Sequence, residues 1–464
     1  MPIELGASIF VKVNHILYNA AETFNLPLAG FSEGTPGDYI AIYDGETFVY
    51  QSVKGEGWWW DAARLWWKYG TSPYSAVKLV KSTVGTFLKL YEAPYFPFRS
   101  LTQRVFELGL NKITAVTGEQ YLAENKINPD FSREIIQAAT RVNYASNLAY
   151  IHGLEAMVSF ATDDASSVLG GNWKIFDHMV NASQAALNSN TKVASISTAP
   201  DHDYTSPKYT ISTVDTSSSS SSSSKEEEYP ITFDNVVLAT PWQFSDISTS
   251  SDVLRHKIDE IPYMKLHVTL FSSPFKLRPG FFGLEDGVKA PSNVYTTLGA
   301  DETAGKGQDS VGRSGFYSIS TLKTAINPSN SRREYVYKIF SAQPVTHKFL
   351  TDLLGADVPE TFTSSSSQDF KESTMVDPIS WYHAHWFHSY PLELPRVTFQ
   401  DPVVGSGVYY TGGIESFIST METSALMGKN VARLIADDFA GVKREGQEAS
   451  HVYGQQAPLG SDEL

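Results

Sequence analysis

The chain has 464 residues, 42% apolar and 13% aromatic, which is enough for a large core in one two-lobed protein or two ordinary domains. Its formal charge of −15, from 51 acidic and 36 basic residues, argues against nucleic acid and against the anionic face of a membrane as partners. The absence of cysteine excludes disulfides, thiolate metal sites, a cysteine nucleophile and a cysteinyl-linked cofactor.

Met1-Pro2-Ile3-Glu4 has neither a basic nor an apolar leader region, so no signal peptide is expected on this chain. Glu4 to Val13 reads as a glycine turn entering a short apolar element, and a helix is expected from Asn14 to Phe24. Ile40 to Asp44, Gly45 and Phe48 to Tyr50 read as a hairpin turned at Asp-Gly. From Trp58 to about Thr162 apolar residues recur at three-to-four spacing, which predicts helices. Such a stripe is a core face, the wall of a long apolar pocket or a membrane-apposed face.

Gly170-Gly171-Asn172 leads into a helix expected over Ile175 to Asn188, and strands are expected at Lys192–Ile196 and Tyr209–Val214. Ser217 to Ser224 and the following Lys225-Glu226-Glu227-Glu228 cannot bury apolar area, so 215–228 is expected to be a disordered loop, with a similar run at Ser364–Ser367. Phe233 to Pro241 reads as a buried strand, and Met264–Phe271 and Tyr335–Phe340 as further strands. The chain closes with Val408-Tyr409-Tyr410, a Gly412-Gly413 turn and a helix to about Phe439 capped by Ser419 or Thr420. Ala425, Gly428 and Ala432 would let that helix lie close on a sheet, and its N-terminus could face an anion.

No run approaches the roughly 18–20 apolar residues of a membrane span. G-x-S-x-G, H-E-x-x-H and Walker A patterns are absent. His383, His385 and His388 are spaced as metal ligands could be, but no nearby carboxylate completes a set, and aromatic packing is the favoured reading. Asn181-Ala182-Ser183 is a glycosylation sequon, and Ser461-Asp462-Glu463-Leu464 is one change from an ER-retrieval tail.

Several segments, in this order and spacing, resemble the amine-oxidase-like flavoproteins. They are Glu4 to Phe10, Gly170-Gly171-Asn172, Asn235 to Pro241, and Thr411 to Glu415 with Thr420 to Ala425. Arg141-Val142-Asn143-Tyr144, Trp386 to Pro391, Tyr410 to Glu415 and Met421 to Asn430 resemble the prenylcysteine oxidases within that group. The resemblance covers about residues 3 to 440. It implies an α/β fold with a Rossmann-like FAD-binding lobe from 1–15, 165–245 and 400–440, and a helical and mixed-sheet substrate lobe from 16–164 and 246–399; an acidic tail follows at 441–464.

The same resemblance implies oxidation of farnesyl- or geranylgeranyl-cysteine. FAD takes hydride from the carbon between sulfur and the prenyl double bond, water adds there, and the hemithioacetal collapses to cysteine and a prenyl aldehyde. Molecular oxygen then reoxidises the flavin to give hydrogen peroxide. Gly6, Ala7, Ser8, Val193, Gly412, Gly413, Met421, Glu422 and Thr423 are implied at the flavin, and His385, His388 and Tyr390 on the substrate side. The Trp58–Tyr95 stretch has the composition for a prenyl pocket. A lumenal compartment of the secretory pathway is expected.

The family opens with a strand and G-x-G-x-x-G, a pattern found nowhere in this chain. A sequence that begins inside that motif is the expected explanation. An amine oxidase of the same superfamily and a flavin-free protein that kept the fold to bind a lipid or partner are the alternative readings.

Overall fold

The computed structural model describes residues 2–30, 39–53, 58–161, 165–199, 208–217, 226–285, 287–360 and 377–442. Its largest sheet has seven strands, in the order Trp381–Pro391, Tyr263–Ser273, Arg333–Ser341, Ser318–Ile326, Asn293–Thr296, Tyr39–Tyr43 and Phe48–Val53. Only Asn293–Thr296 and Tyr39–Tyr43 run parallel; all other neighbours are antiparallel. The expected early hairpin is therefore an edge of this sheet. Its turn is a four-residue loop in which Asp44 Oδ1 accepts the N–H groups of Glu46 and Thr47, with Gly45 at φ 97°.

A layer of helices between Trp58 and Phe160 fills the expected helical region. In a three-stranded sheet of Val403–Gly405, Val408–Tyr410 and Val236–Leu238, the last two strands pair in parallel. Only Val236–Leu238 of the expected buried strand is extended, and Val237 faces outward while Val236 and Leu238 are buried. A four-stranded sheet contains Thr191–Thr198 and Tyr209–Asp215 as expected. Glu227–Glu228 pairs with Tyr209–Asp215, so both flanks of the serine insert are strand ends. Residues 218–225, the Ser364–Ser367 run and most of the acidic tail lie outside the described residues.

The closing helix runs Met421–Phe439, with Thr420 as its cap in a reciprocal bond with Thr423. Its buried face is Leu426, Met427, Asn430, Val431 and Leu434, which packs on Leu90, Phe98, Leu101 and Phe417. The expected close-packing stripe is not used: Gly428 and Ala432 are exposed, and a Cβ at Gly428 would meet nothing within 4 Å. The helix His15–Thr23 packs with Phe10, Ile175 and Met421, alongside the C-terminal helix. The helix expected over 175–188 spans Trp173–Ser183, ending at Gln184 with φ 56°.

Candidate active site

Residues 3–10 bridge from the seven-stranded sheet to Ser166, with which Phe10 pairs, and bend at Leu5 and Gly6. Ile3 and Leu5 pack on the sheet face formed by Leu266, Val268 and Leu270. Glu4 Oε1 accepts the Asn172 N–H at 2.6 Å, and Asn172 Nδ2 donates to the Ala7 carbonyl at 3.2 Å. Gly170 and Gly171, at φ 91° and 116°, form the turn that presents Asn172. Gly6 sits over the ring of Phe387, 3.8 Å from where its Cβ would be.

Beneath this bridge is a buried lysine that the sequence reading did not single out. Lys338 Nζ donates to the Glu4 carbonyl at 3.2 Å and lies 5.0 Å from the Phe340 ring centre. Burial lowers its pKa to about 8, with Glu4 partly opposing. An ammonium has three donors, and one recorded acceptor leaves Lys338 able to bond a further group.

The strand register separates the three substrate-side candidates. His385 pairs with Val268, so it shares the face of Leu266, Leu270 and Lys338. A bulge at Ser389 puts Tyr390 opposite Met264, which returns Tyr390 to that same face. His388 points to the other face and stacks on Phe244, centroids 4.5 Å apart at 8°. Trp381, His383, His385 and Phe387 stack in a row along the edge strand.

Tyr390 meets Tyr144 edge-on at 5.5 Å, and Tyr144 Oη donates to the Ser419 carbonyl at 3.2 Å. Ser419 N–H in turn donates to Glu155 Oε1 at 3.3 Å. Behind them are His152 and Glu393, both fully buried, with His152 Nε2 at 3.4 Å from Glu393 Oε2. Burial raises the Glu155 carboxyl to about 8 and pushes Glu393 well above the carboxylate range, where Glu155 adds to it. It lowers His152 to about 3, so the His152–Glu393 contact joins neutral groups. Glu155 Oε2, His152 Nε2 and both Glu393 oxygens have no hydrogen-bond partner. His152 also caps the helix Gly153–Phe160 by accepting the Glu155 N–H; the H-x-x-E spacing is the one sequence signal that could have located this group.

The turn Gly412–Ser416 before the C-terminal helix is buried. A Cβ on Gly412 would stand 2.5 Å from Tyr410 Oη, and one on Gly413 2.5 Å from the Gln400 carbonyl, so packing against the protein itself requires both glycines. Glu422 accepts the N–H groups of Ile16 and Leu17 at 2.9 and 3.0 Å, and Thr423 Oγ1 donates to the Ile418 carbonyl at 2.7 Å. Both side chains are thus engaged within the protein, while Met421 packs beside the helix His15–Thr23. Val193 is part of the strand Thr191–Thr198 and packs, with Trp242 and Ile247, against the cluster that contains Tyr410.

Part of the Trp58–Tyr95 stretch packs into the core. Tyr69, Val80, Phe87 and Leu90 enter closed core clusters, and Trp66 and Trp67 face outward. Tyr91 borders a cleft of about 550 Å³ lined by the apolar Ile16, Ala20, Phe24 and Met179 as well as by His15 and Lys429.

Comparison with known proteins places these features in a context. The family model described as prenylcysteine lyase matches residues 53–447. A farnesylcysteine lyase of Arabidopsis thaliana is 27% identical over 475 positions, covering 99% of this chain and 82% of that protein. Prenylcysteine oxidase 1 of Bos taurus is 23% identical, covering 86% and 72%. The crystal structure of a CLA-producing fatty acid isomerase from P. acnes superposes with a TM-score of 0.50 at 12% identity, covering 94% of this chain and 86% of that one, a likeness of fold alone.

Proposed function

The chain belongs to the prenylcysteine lyase family, and from that premise we propose that it is an FAD-dependent oxidase cleaving farnesyl- or geranylgeranyl-cysteine to cysteine, a prenyl aldehyde and hydrogen peroxide. The family match over 53–447 is the observation that carries this reading. FAD, when bound, supplies the two-electron acceptor for the carbon between sulfur and the prenyl double bond.

The residues around Glu4–Ser8 fit such a group, because Lys338 has donor capacity to spare at a buried position against the Glu4 carbonyl. Lys338, the backbone of Gly6 to Ser8 and the Gly412-Gly413 turn with Met421 would hold it, while Glu422 anchors the start of the helix His15–Thr23 and Thr423 fixes Ile418 ahead of the C-terminal helix. Tyr390, on the same sheet face, keeps its proton, since burial pushes its hydroxyl up to about 12. It can therefore orient substrate as a hydrogen-bond donor, with His385 farther along the same face beyond Phe387. His388 faces away and takes no part. Molecular oxygen serves as the final acceptor.

The exposed Asn181 of the sequon supports residence in the secretory lumen. A mobility shift on glycosidase treatment of the native protein is the expected result there, and an unshifted, unmodified Asn181 counts against it.

The decisive experiment is a visible spectrum of the full-length gene product. Flavin bands near ~450 nm that bleach with farnesylcysteine under anaerobic conditions are expected. A colourless protein that refuses added FAD would end the oxidase reading.

A further inference from the structure

The helices Trp58–Tyr69 and Ser72–Phe87 meet at Gly70, which has φ 63°. Around this corner the described surface carries Trp66 at 66% exposure, Trp67 at 87% and Tyr74 at 76%, with Val77 at 42%. Large aromatic side chains so exposed lose the burial that stabilises them elsewhere in the chain. On the second helix Tyr74, Val77, Lys78, Lys81 and Gly85 fall at three-to-four spacing on one outward face, while Ala76, Val80, Thr83 and Phe87 are buried on the other.

Charge distinguishes this corner from the rest of the protein. The −15 of the whole chain argues against an anionic membrane face for the molecule at large, yet residues 58–92 contain five basic residues, Arg64, Lys68, Lys78, Lys81 and Lys89, against two acids, Asp61 and Glu92. Lys68 is committed to Glu134, whereas Lys78, Lys81 and Lys89 are exposed and form no ion pair among the described residues.

We propose that this corner is a membrane-surface docking site that takes an anionic lipid bilayer, with Trp66, Trp67 and Tyr74 seated among the headgroups and Lys78, Lys81 and Lys89 over the lipid phosphates and carboxylates. Tryptophan and tyrosine have an apolar body and a polar tip that suit the headgroup layer, and lysines on the flanking face add attraction to anionic lipid. The remaining acidic surface is repelled by the same bilayer, which orients the protein with this corner down. A second copy of the chain would carry the same lysines to the contact and meet like charge. The inference stands on the surface alone and does not depend on the oxidase reading.

The test is co-sedimentation of the full-length protein with phosphatidylcholine vesicles and with vesicles containing phosphatidylserine as well. Binding is expected to the second kind, with a blue shift in tryptophan emission. Trp66→Ser/Trp67→Ser should weaken it by roughly tenfold or more, and Lys78→Gln/Lys81→Gln by roughly fivefold per charge, with a flatter salt dependence. Trp381→Ser, exposed on the edge strand, should bind as the parent does. All these positions are exposed, and circular dichroism checks that the variants fold. The proposal is overturned if the parent ignores both vesicles, or if the double tryptophan variant binds equally well. It is also overturned if the parent is a lipid-indifferent dimer that the tryptophan substitutions convert to a monomer. None of these readouts needs substrate or flavin.

Discussion

Asn430 clasps the backbone of Phe98 from both sides: its Oδ1 accepts the Phe98 N–H at 2.8 Å and its Nδ2 donates to the Phe98 carbonyl at 2.8 Å. The asparagine is completely buried on the C-terminal helix, and Phe98 belongs to the same core cluster as Leu101 and Leu426. Asn430→Leu strands two buried backbone groups. A loss of about 2–4 kcal/mol is expected, read as a lower urea midpoint with an unchanged slope.

Among the described residues Arg141 is the largest fully buried side chain. Its guanidinium donates to Thr296 Oγ1, Asn147 Oδ1 and the carbonyls of Ser310 and Val311, at 2.6 to 3.1 Å. These acceptors are neutral and spread around a planar fork, which a single ammonium cannot reach at once. Arg141→Lys should cost about 2–4 kcal/mol in chemical denaturation. A lysine variant of parental stability would mean that charge alone, not the fork, holds the helix Gln137–Tyr144 to these acceptors.

Glu155 gives a pH prediction. Burial raises its folded pKa to about 8, above the value near ~4.3 of an unfolded glutamate. The folded state therefore holds a proton that the unfolded chain releases. The stability from that proton is fully present below the unfolded pKa and is lost as pH rises through about 8. Tyr144, His152 and Glu393 face the group, and Glu393 shifts the same way. Glu155→Gln keeps a neutral acceptor for the Ser419 N–H. The melting temperature of this variant should fall less steeply than that of the parent between about pH 6 and 9.

Lys338 has the opposite sign. Its folded pKa of about 8 lies below the ~10.4 of an unfolded lysine, so the buried charge costs stability below about pH 8 and the cost fades as pH rises. Lys338→Met should melt higher than the parent at pH ~7. If Lys338 holds the cofactor as proposed, the same variant should purify with less flavin and turn over at least roughly tenfold more slowly. A merely structural lysine would leave the flavin-to-protein ratio and kcat where they were.

Much of the fold is legible in the sequence because apolar periodicity reports burial. The strands at Tyr263–Ser273 and Val408–Tyr410 and the helix His15–Thr23 follow the pattern closely. The site is less legible, for identifiable reasons. Alternation alone would place His388 and Tyr390 on one face, but the bulge at Ser389 separates them. Lys338, Glu155 and Glu393 look like surface residues, because a single sequence does not show which charges the tertiary fold buries. Gly412 and Gly413 read as an approach to a ligand, while the structure shows that Tyr410 and Gln400 fill the space their side chains would need. Ala425, Gly428 and Ala432 show the converse, since small residues at helical spacing suggest close packing even when part of that face is open to water.

The bonds from Ile16 and Leu17 to Glu422 also constrain the order in which the molecule can be completed. The helix His15–Thr23 has no side-chain cap of its own, and the carboxylate that serves its first turn lies 406 positions from Ile16. On a ribosome adding about 5–20 residues per second, that partner emerges roughly 20–80 s after the helix does. Until then the first helix exposes its unsatisfied N–H groups and the apolar side of Leu17, Ala20 and Ala21, and must be shielded by chaperones or by transient contacts. A premature stop anywhere before Glu422 would therefore leave a defect at the helix His15–Thr23, far in sequence from the break itself.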